Sequence, residues 1–418
     1  MKTVFLPALL LVAMAVACGG DQDVQPTISV SPTTDAAPSP TPSPTDSPSL
    51  SAKPSEFQAF PAAIADQLTQ AGGSPDCLAE LFEAWDMPSD GTTPCVAADL
   101  DGDGEDEYVV RVAREGLPEE GALEGWLAGD INIFDDLGTG YEIVFSLAAF
   151  DEFTDVDLIK PVIFEVGDLN AGSRAAALLT TTVCGAHTCS LTVYVIGYEE
   201  GEYVSILEPG VGEVGAITLP ITDEQVRLVD VDGDGVTEIL LREGLIGSVG
   251  AGPQREGTRT YRWDGRRYQL AGTEYDPSEL RYFKVREADD AFANGDYERA
   301  IALYQEAIDS SQLQDVDYPG DPAELIAYAR FRIGLTMAVQ GDTDGALAAL
   351  DAAVAADPEA LHSQLSAQFR QGYARVGHVS AGCGDARDFV EGNLDAFSAL
   401  WDYGYANPEF RPDALCPS

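Results

Sequence analysis

Basic side chains are scarce in this 418-residue chain, which carries 23 lysines and arginines against 71 aspartates and glutamates. The formal net charge is −48 at pH 7. Because contacts to phosphate need lysine and arginine, this balance excludes a nucleic-acid partner. Acidity at this level favours solubility and attracts divalent cations.

Histidine is also rare, and the motifs of zinc sites and of common hydrolases are missing. The chain has three histidines and no Cys-x-x-Cys pair, which argues against zinc. No His-Glu-x-x-His motif or Ser/His/Asp set is evident. Residues 210–215 fit the Gly-x-Gly-x-x-Gly spacing of dinucleotide sites, but β-type residues follow where a helix is required, so no nucleotide is expected. The sequence predicts a protein that is not an enzyme.

The N-terminal apolar run, Val4–Val16, is too short to cross a bilayer as a mature helix. It is typical of an export signal over residues 1–18, and small residues directly precede Cys18. This ending resembles the lipobox of bacterial lipoproteins, which implies lipidation of Cys18 and an extracytoplasmic protein anchored to a membrane. A plain secretory signal is the alternative. Residues 19–54 are rich in Pro, Ser and Thr and predict a disordered stalk.

Six further cysteines indicate disulfides in an oxidising compartment. They are Cys77, Cys95, Cys184, Cys189, Cys383 and Cys416. Proximity in the sequence favours the pairs Cys77–Cys95, Cys184–Cys189 and Cys383–Cys416, although six cysteines allow 15 pairings. His187 lies between two of these cysteines and is expected at the tip of a stapled hairpin.

Two acidic loops of one pattern carry the clearest functional signal. Carboxylates stand at positions 1, 3, 5 and 9, and a glycine at position 6 permits a sharp turn. Such a loop surrounds a hard cation with oxygen atoms, including the backbone carbonyl of position 7. The expected ligands are Asp99, Asp101, Asp103, Glu105 and Glu107 in the first loop and Asp230, Asp232, Asp234, Val236 and Glu238 in the second.

The spacing of these acids favours a calcium loop that differs from the EF-hand. Carboxylates at alternate positions repel one another without a counter-ion. An EF-hand requires an acid at position 12 between two helices, whereas Val110 and Leu241 stand there and strand-like residues follow. We therefore predict two structural Ca²⁺ sites; a solvated acidic turn is the alternative.

Residues 94–272 show three β-rich units, each with an acidic loop, a strand, a spacer and a strand–turn–strand that ends in tyrosine. The loops begin at residues 99, 168 and 230, a spacing in the range of repeat proteins. The middle loop lacks acids at Gly172 and Ala176 and is expected to be empty. Helical spacing of apolar residues predicts a small helical cap over residues 55–93.

The loops and strands resemble FG-GAP/VCBS repeats, the repeats of integrin-alpha-type β-propellers, whose blades carry a calcium loop between strands. The resemblance covers roughly residues 94–272. It implies a β-propeller-like domain. Since only three units are visible, a partial propeller and an open stack of sheets are both compatible with it.

The last part of the chain, residues 276–418, has helical periodicity and resembles tetratricopeptide repeats (TPR). The two copies are marked by Gly295-Asp-Tyr297 and Gly341-Asp-Thr343, 46 residues apart, and an insert near residues 310–321 lengthens the first copy. The resemblance implies an α-helical solenoid that binds a protein or peptide partner. An ordinary helical bundle is the alternative.

Together these features predict a multidomain α+β protein. The expected function is that of a lipid-anchored, calcium-binding, non-catalytic scaffold or adaptor for protein–protein interaction at the cell surface or the periplasmic face. A polysaccharide-binding protein, or an accessory subunit of a surface complex, is a second hypothesis and would need exposed aromatic side chains on the β domain. An enzyme is a third and would need a deep pocket lined by titratable groups.

Overall fold

The chain changes from antiparallel β-sheet to α-helix near residue 280. The computed structural model describes residues 49–115, 126–150, 158–172, 174–185, 188–208, 215–316 and 321–416. Residues 48–418 form one compact unit. The signal peptide, Cys18, the stalk before residue 49 and His187 lie outside the described residues. No helix in the described ranges is both long and apolar enough to cross a membrane.

The strands form a nine-stranded and a four-stranded sheet, both antiparallel. The larger sheet contains β1 (Cys95–Ala98), β2 (Glu107–Arg114), β3 (Ala128–Asp136), β4 (Tyr141–Ser146), β5 (Leu158–Gly167), β6 (Ala176–Cys184), β7 (Cys189–Glu199), β8 (Glu202–Ser205) and β9 (Ile217–Pro220). The smaller sheet contains β10 (Val226–Val229), β11 (Glu238–Glu243), β12 (Gly257–Trp263) and β13 (Tyr268–Tyr275).

Within these sheets the chain repeats one arrangement three times, as β1–β4, β5–β8 and β10–β13. Each unit is an antiparallel series of four strands, and the acidic loop joins its first strand to its second. The first two units share one sheet because β3 also pairs with β5. Among the described strands no sheet closes on itself, so the β region consists of open sheets.

Strand β2 is buried on both faces, which explains its nearly continuous apolar sequence. Tyr108, Val110 and Val112 pack against two N-terminal helices, α1 (Phe60–Ala71) and α2 (Ala79–Ala84). Side chains on the opposite face belong to a second apolar cluster, which a short helix, α3 (Leu147–Phe150), also joins. This burial fixes the end of β2 that carries the first acidic loop.

Seven helices form the C-terminal region of the described chain. They are α4 (Arg281–Ala293), α5 (Tyr297–Asp309), α6 (Pro322–Val339), α7 (Thr343–Ala356), α8 (Leu361–Val376), α9 (Val379–Gly392) and α10 (Leu394–Leu400). Consecutive helices pack together from α4 to α9.

The Gly-Asp marks in the sequence are helix boundaries. Gly295 and Gly341 have φ angles of +77° and +83°, which only glycine adopts readily and which end α4 and α6. The following Asp296 and Asp342 accept hydrogen bonds from backbone N–H groups of the next helices. Each mark therefore ends one helix and begins its antiparallel neighbour.

A C-terminal segment, residues 401–416, covers the face shared by α4, α6 and α8. The Trp401 indole donates to His362 Nε2 of α8 at 3.2 Å, and the ring of Tyr403 lies 4.2 Å from that of Tyr282 on α4. The Arg332 guanidinium of α6 donates to the backbone oxygen of Leu415 at 3.3 Å. This helical face is thus occupied by the chain itself.

Three disulfides join the cysteines as proximity in the sequence favours. Cys77–Cys95 links the segment before α2 to β1, and Cys184–Cys189 closes the turn between β6 and β7. Cys383–Cys416 ties the end of the C-terminal segment to α9. The disulfide framework predicted for an exported chain is therefore present in the fold.

Candidate metal centre

The two acidic loops have the same backbone conformation. Gly102 and Gly104 in the first loop, and Gly233 and Gly235 in the second, have φ angles between +79° and +95°. Carboxylates hold these turns: Asp99 Oδ1 accepts from the N–H of Gly102 at 2.7 Å, and the equivalent bond in the other loop is also 2.7 Å long. The shared sequence pattern thus produces a shared local structure.

The glutamate at position 9 is buried in both loops and closes them. Glu107 Oε2 accepts from the backbone N–H of Leu100 at 2.6 Å, and Glu238 Oε2 accepts from that of Val231 at 2.7 Å. Only 0 % and 3 % of the two glutamates are exposed. In each loop, Oε2 of this glutamate therefore accepts a hydrogen bond from the loop backbone, and Oε1 takes no part in that bond.

The surroundings of that second oxygen differ between the loops. Glu107 Oε1 is buried and has no hydrogen-bond partner among the described residues. Glu238 Oε1 lies 3.6 Å from Nε of Arg262 on β12. When the pairing of β2 with β3 is continued by one residue, Asp135 lies opposite Glu107. When the pairing of β11 with β12 is continued in the same way, Arg262 lies opposite Glu238. The first loop faces an acid where the second faces a base.

The structure brings together a different set of acids in each loop. In the first, carboxylate oxygens of Asp99, Asp101 and Glu107 lie within 4.8 Å of one another. In the second the group is Asp230, Asp232 and Asp234, all exposed. Asp103 and Glu238, both predicted ligands, fall outside these groups. The backbone positions expected to supply carbonyls, Glu105 and Val236, follow the glycines of the turns.

Carboxyl groups in and beside the first loop disfavour one another's ionisation. Burial raises the pKa of Glu107 to about 7, and the charges of Asp101 and Asp135 act in the same direction against the two backbone donors. Burial and the charges of Asp101 and Asp103 also raise the pKa of Asp135. The carboxyl groups of Glu107 and Asp135 are therefore harder to ionise than usual, and Glu107 has no basic partner among the described residues.

The donor set of the first loop fits a hard divalent cation. A buried carboxylate oxygen without a partner is costly, and a cation at that position would satisfy it. Its neighbours are carboxylates from alternate loop positions, the oxygen ligands that Ca²⁺ prefers. The second loop fits less well because Arg262 already lies beside Glu238.

The three loops also contact one another in chain order. The N–H of Ala175, in the middle loop, donates to the backbone oxygen of Asp99 at 3.0 Å, and the N–H of Thr237 donates to that of Leu169 at 3.1 Å. Both donors occupy position 8 of their loops. Backbone hydrogen bonds therefore link the first loop to the middle loop and the middle loop to the last. Fixing the conformation of one loop should help to fix that of its neighbour.

The tyrosines that end the units reach back to the loop of the preceding unit. The Tyr268 hydroxyl donates to the backbone oxygen of Leu169 at 2.6 Å. The equivalent Tyr203 has a buried hydroxyl without a partner among the described residues. Burial, and the charges of Glu107 and Asp135, raise the pKa of Tyr203. Its hydroxyl therefore lies close to Glu107 of the first loop and to Asp135 of β3.

Sequence reasoning missed the residues that distinguish the loops, Asp135 and Arg262. They follow their position-9 glutamates by 28 and 24 residues, because the spacers between strands differ in length. Only an alignment of β3 with β12 by strand register would have found them.

The chain has no match among known proteins: no family model, no curated protein and no solved structure resembles it at a significant level. The resemblance to FG-GAP/VCBS and tetratricopeptide repeats therefore rests on the sequence motifs alone and stays a prediction.

Proposed function

We propose that this chain is a lipid-anchored, extracytoplasmic scaffold protein whose β region is stabilised by calcium at the loop Asp99–Glu107. The observation that carries the proposal is the buried, unpartnered Oε1 of Glu107 beside Asp99 and Asp101. We assign the first loop as the stronger site and the loop Asp230–Glu238 as a weaker one, because the latter is exposed and has Arg262 as a counter-charge.

Calcium would act here on structure, without catalysis. When bound, it would supply positive charge where the loop's carboxylates converge. Asp99, Asp101 and Glu107 are its proposed side-chain ligands, with Asp103 and the Glu105 carbonyl as further candidates from the motif. The backbone contact between Asp99 and Ala175 would extend the ordering of this loop to the middle unit.

The three β units are, in this proposal, related repeats of the FG-GAP/VCBS kind that form open sheets. Support comes from the equal strand order of the units and from the repeated contacts between their loops. The paired helices α4–α9 are likewise proposed as TPR-like repeats. Their support is the antiparallel pairing and the small residues between helices, such as Gly334, where an added Cβ would lie 2.6 Å from Leu350.

The scaffold role concerns the helical region and the anchor. Since residues 401–416 cover the face of α4, α6 and α8, a partner would reach that face only by displacing the segment, which Cys383–Cys416 ties down. We therefore propose that a protein partner binds the uncovered helices α5 and α7. Lipidation of Cys18 would hold the protein at the membrane.

Thermal unfolding of residues 48–418 tests the calcium proposal. Melting curves are compared in millimolar Ca²⁺, in chelator and in millimolar Mg²⁺, with calorimetric titration of the metal-free protein. We expect a rise in melting temperature that Ca²⁺ causes and Mg²⁺ does not, because the larger ion accepts the irregular geometry of such loops. Equal melting temperatures in Ca²⁺ and chelator, without binding heat, would reduce both loops to solvated acidic turns.

A further inference from the structure

A cavity of about 750 Å³ lies where the third β unit, helix α4 and the C-terminal segment meet. Its β wall includes Glu243 and Arg259, its helical wall includes Arg286 and Asp290, and Asn407 belongs to the third wall. This volume falls within the range of sites for small molecules, and junctions between structural regions are their usual place. Neither acidic loop contributes to it.

The walls of the cavity are fixed by backbone contacts. The N–H groups of Tyr405 and Ala406 donate to the backbone oxygens of Gly250 and Ala251 at 3.1 and 3.2 Å. Gly252, with a φ of +82°, lies so close to the C-terminal segment that an added Cβ would be 1.5 Å from the oxygen of Tyr403. The cavity is therefore preformed.

One arginine of the lining, Arg255, is held in position by an ion pair and by two aromatic rings. Arg255 forms an ion pair with Glu287 at 2.6 Å, and its guanidinium lies 4.5 Å and 4.8 Å from the rings of Tyr275 and Phe283. Tyr275 remains 46 % exposed and offers an apolar surface at the rim.

The remaining charged groups offer both donors and acceptors. Arg259 pairs with Glu243 at 3.0 Å, and both are about one quarter exposed, so that neighbouring donor and acceptor atoms face the cavity. On α4, Arg286 stands one turn before Asp290 and has no ion pair among the described residues. Because Arg255 is paired with Glu287 and Arg259 with Glu243, Arg286 and Asp290 are the lining charges without an ion pair among the described residues.

The charges and hydrogen-bonding groups of the lining restrict the chemical class of the ligand. The acidic chain repels polyanions such as nucleotides or phosphorylated chains, whereas one carboxylate needs a single counter-charge. A pair of donor and acceptor atoms matches vicinal hydroxyl groups, which both donate and accept. We propose that the cavity binds an acidic saccharide, with its carboxylate at Arg286 and its hydroxyls at the Arg259–Glu243 pair and at Asp290.

Calorimetric titration of the full chain in mild detergent tests this proposal. The probes are galacturonate and glucuronate, which carry one carboxylate each, with maltotriose as a neutral saccharide and triglycine as a zwitterionic peptide. A calcium-free buffer is used because uronates themselves bind calcium. We expect at least one uronate to bind ten times more tightly than maltotriose and triglycine. Absence of uronate binding, or stronger binding of triglycine, overturns the proposal.

Two further measurements locate the binding. Arg286→Met should weaken uronate binding at least tenfold, whereas Arg227→Met, which removes an exposed arginine of β10 outside the cavity, should leave it unchanged. Equal melting temperatures of the variants show that folding is intact. In the unmodified chain, bound uronate should slow hydrogen exchange in α4 and in residues 245–256. Unchanged affinity of the Arg286 variant, or protection elsewhere only, would place the ligand outside this cavity.

Discussion

The loops Asp99–Glu107 and Asp230–Glu238 have the same ligand pattern and the same turns, yet their surroundings differ. The buried Glu107 faces Asp135, and one of its oxygens has no partner among the described residues; the buried Glu238 has Arg262 at 3.6 Å. One strand position therefore gives the two buried glutamates neighbours of opposite charge, and on our proposal this difference makes the first loop the stronger calcium site. A metal-binding motif is thus only part of a metal site, because a residue from the neighbouring strand sets its charge balance.

The largest expected effect comes from neutralising the position-9 glutamates one at a time. Glu107→Gln should remove most of the stabilisation by calcium, which is about 2.7 kcal/mol at a hundredfold excess over Kd. The matched Glu238→Gln should retain it. Melting curves of both variants in calcium and in chelator provide the comparison. Equal losses in the two variants would show that the loops contribute alike.

The metal-free protein should also respond to pH through Glu107. Its folded pKa of about 7 exceeds the ordinary value of 4.5, so the folded state binds more protons than the unfolded state between these values. Stability from this group is present at low pH and is lost as pH rises through 7. Between pH 5.5 and 7.5 we expect a loss of about 2 kcal/mol in chelator. Denaturant unfolding at both pH values measures it.

Two controls separate this effect from other titrations. Glu107→Gln has no carboxyl group at this position, so its stability should change less over the same pH range. Saturating calcium should also reduce the dependence in the unmodified protein, because metal binding favours the deprotonated carboxylate. A pH dependence that the variant retains in full would assign the effect to other groups.

Exchanging the charges at Asp135 and Arg262 should reverse the difference in calcium affinity between the two loops. Asp135→Arg places a base beside Glu107, and we expect calcium affinity of the first loop to fall about tenfold, equivalent to about 1.4 kcal/mol. Arg262→Asp should raise the affinity of the other loop by a similar factor. Calorimetric titration of each variant, with Glu107→Gln or Glu238→Gln added to silence one loop, resolves the sites. Unchanged affinities would mean that the loop residues alone determine binding.

Much of the fold could be predicted from local sequence, because its signals act over short distances. The glycines of the acidic loops specify turns, and Gly295-Asp296 ends one helix and begins the next. The six cysteines lie in pairs along the chain, and their pairing follows that order. The change from β to helical periodicity near residue 280 matches the start of α4.

The site could be predicted only in outline, because its charge balance depends on strand register. The loops and their carboxylates were evident, but the place of Asp135 opposite Glu107 follows from pairing across a spacer of variable length. The place of the C-terminal segment on the helical face and the cavity beside Arg286 were also not evident from the sequence. These contacts join residues far apart in sequence, and no local pattern specifies them.

The smallest expected effect concerns the tyrosines that reach the preceding loops. Tyr268→Phe should destabilise the protein by about 1 kcal/mol, because it removes the hydrogen bond that the buried hydroxyl donates to the backbone oxygen of Leu169, which then accepts from the N–H of Thr237 alone. Tyr203→Phe in chelator should change stability by less than about 0.5 kcal/mol, since its buried hydroxyl has no described partner to lose. Denaturant unfolding of the two variants side by side gives the difference. A loss at Tyr203 equal to that at Tyr268 would reveal a partner for this hydroxyl in the loop, and the first site would then be better satisfied without metal than we infer.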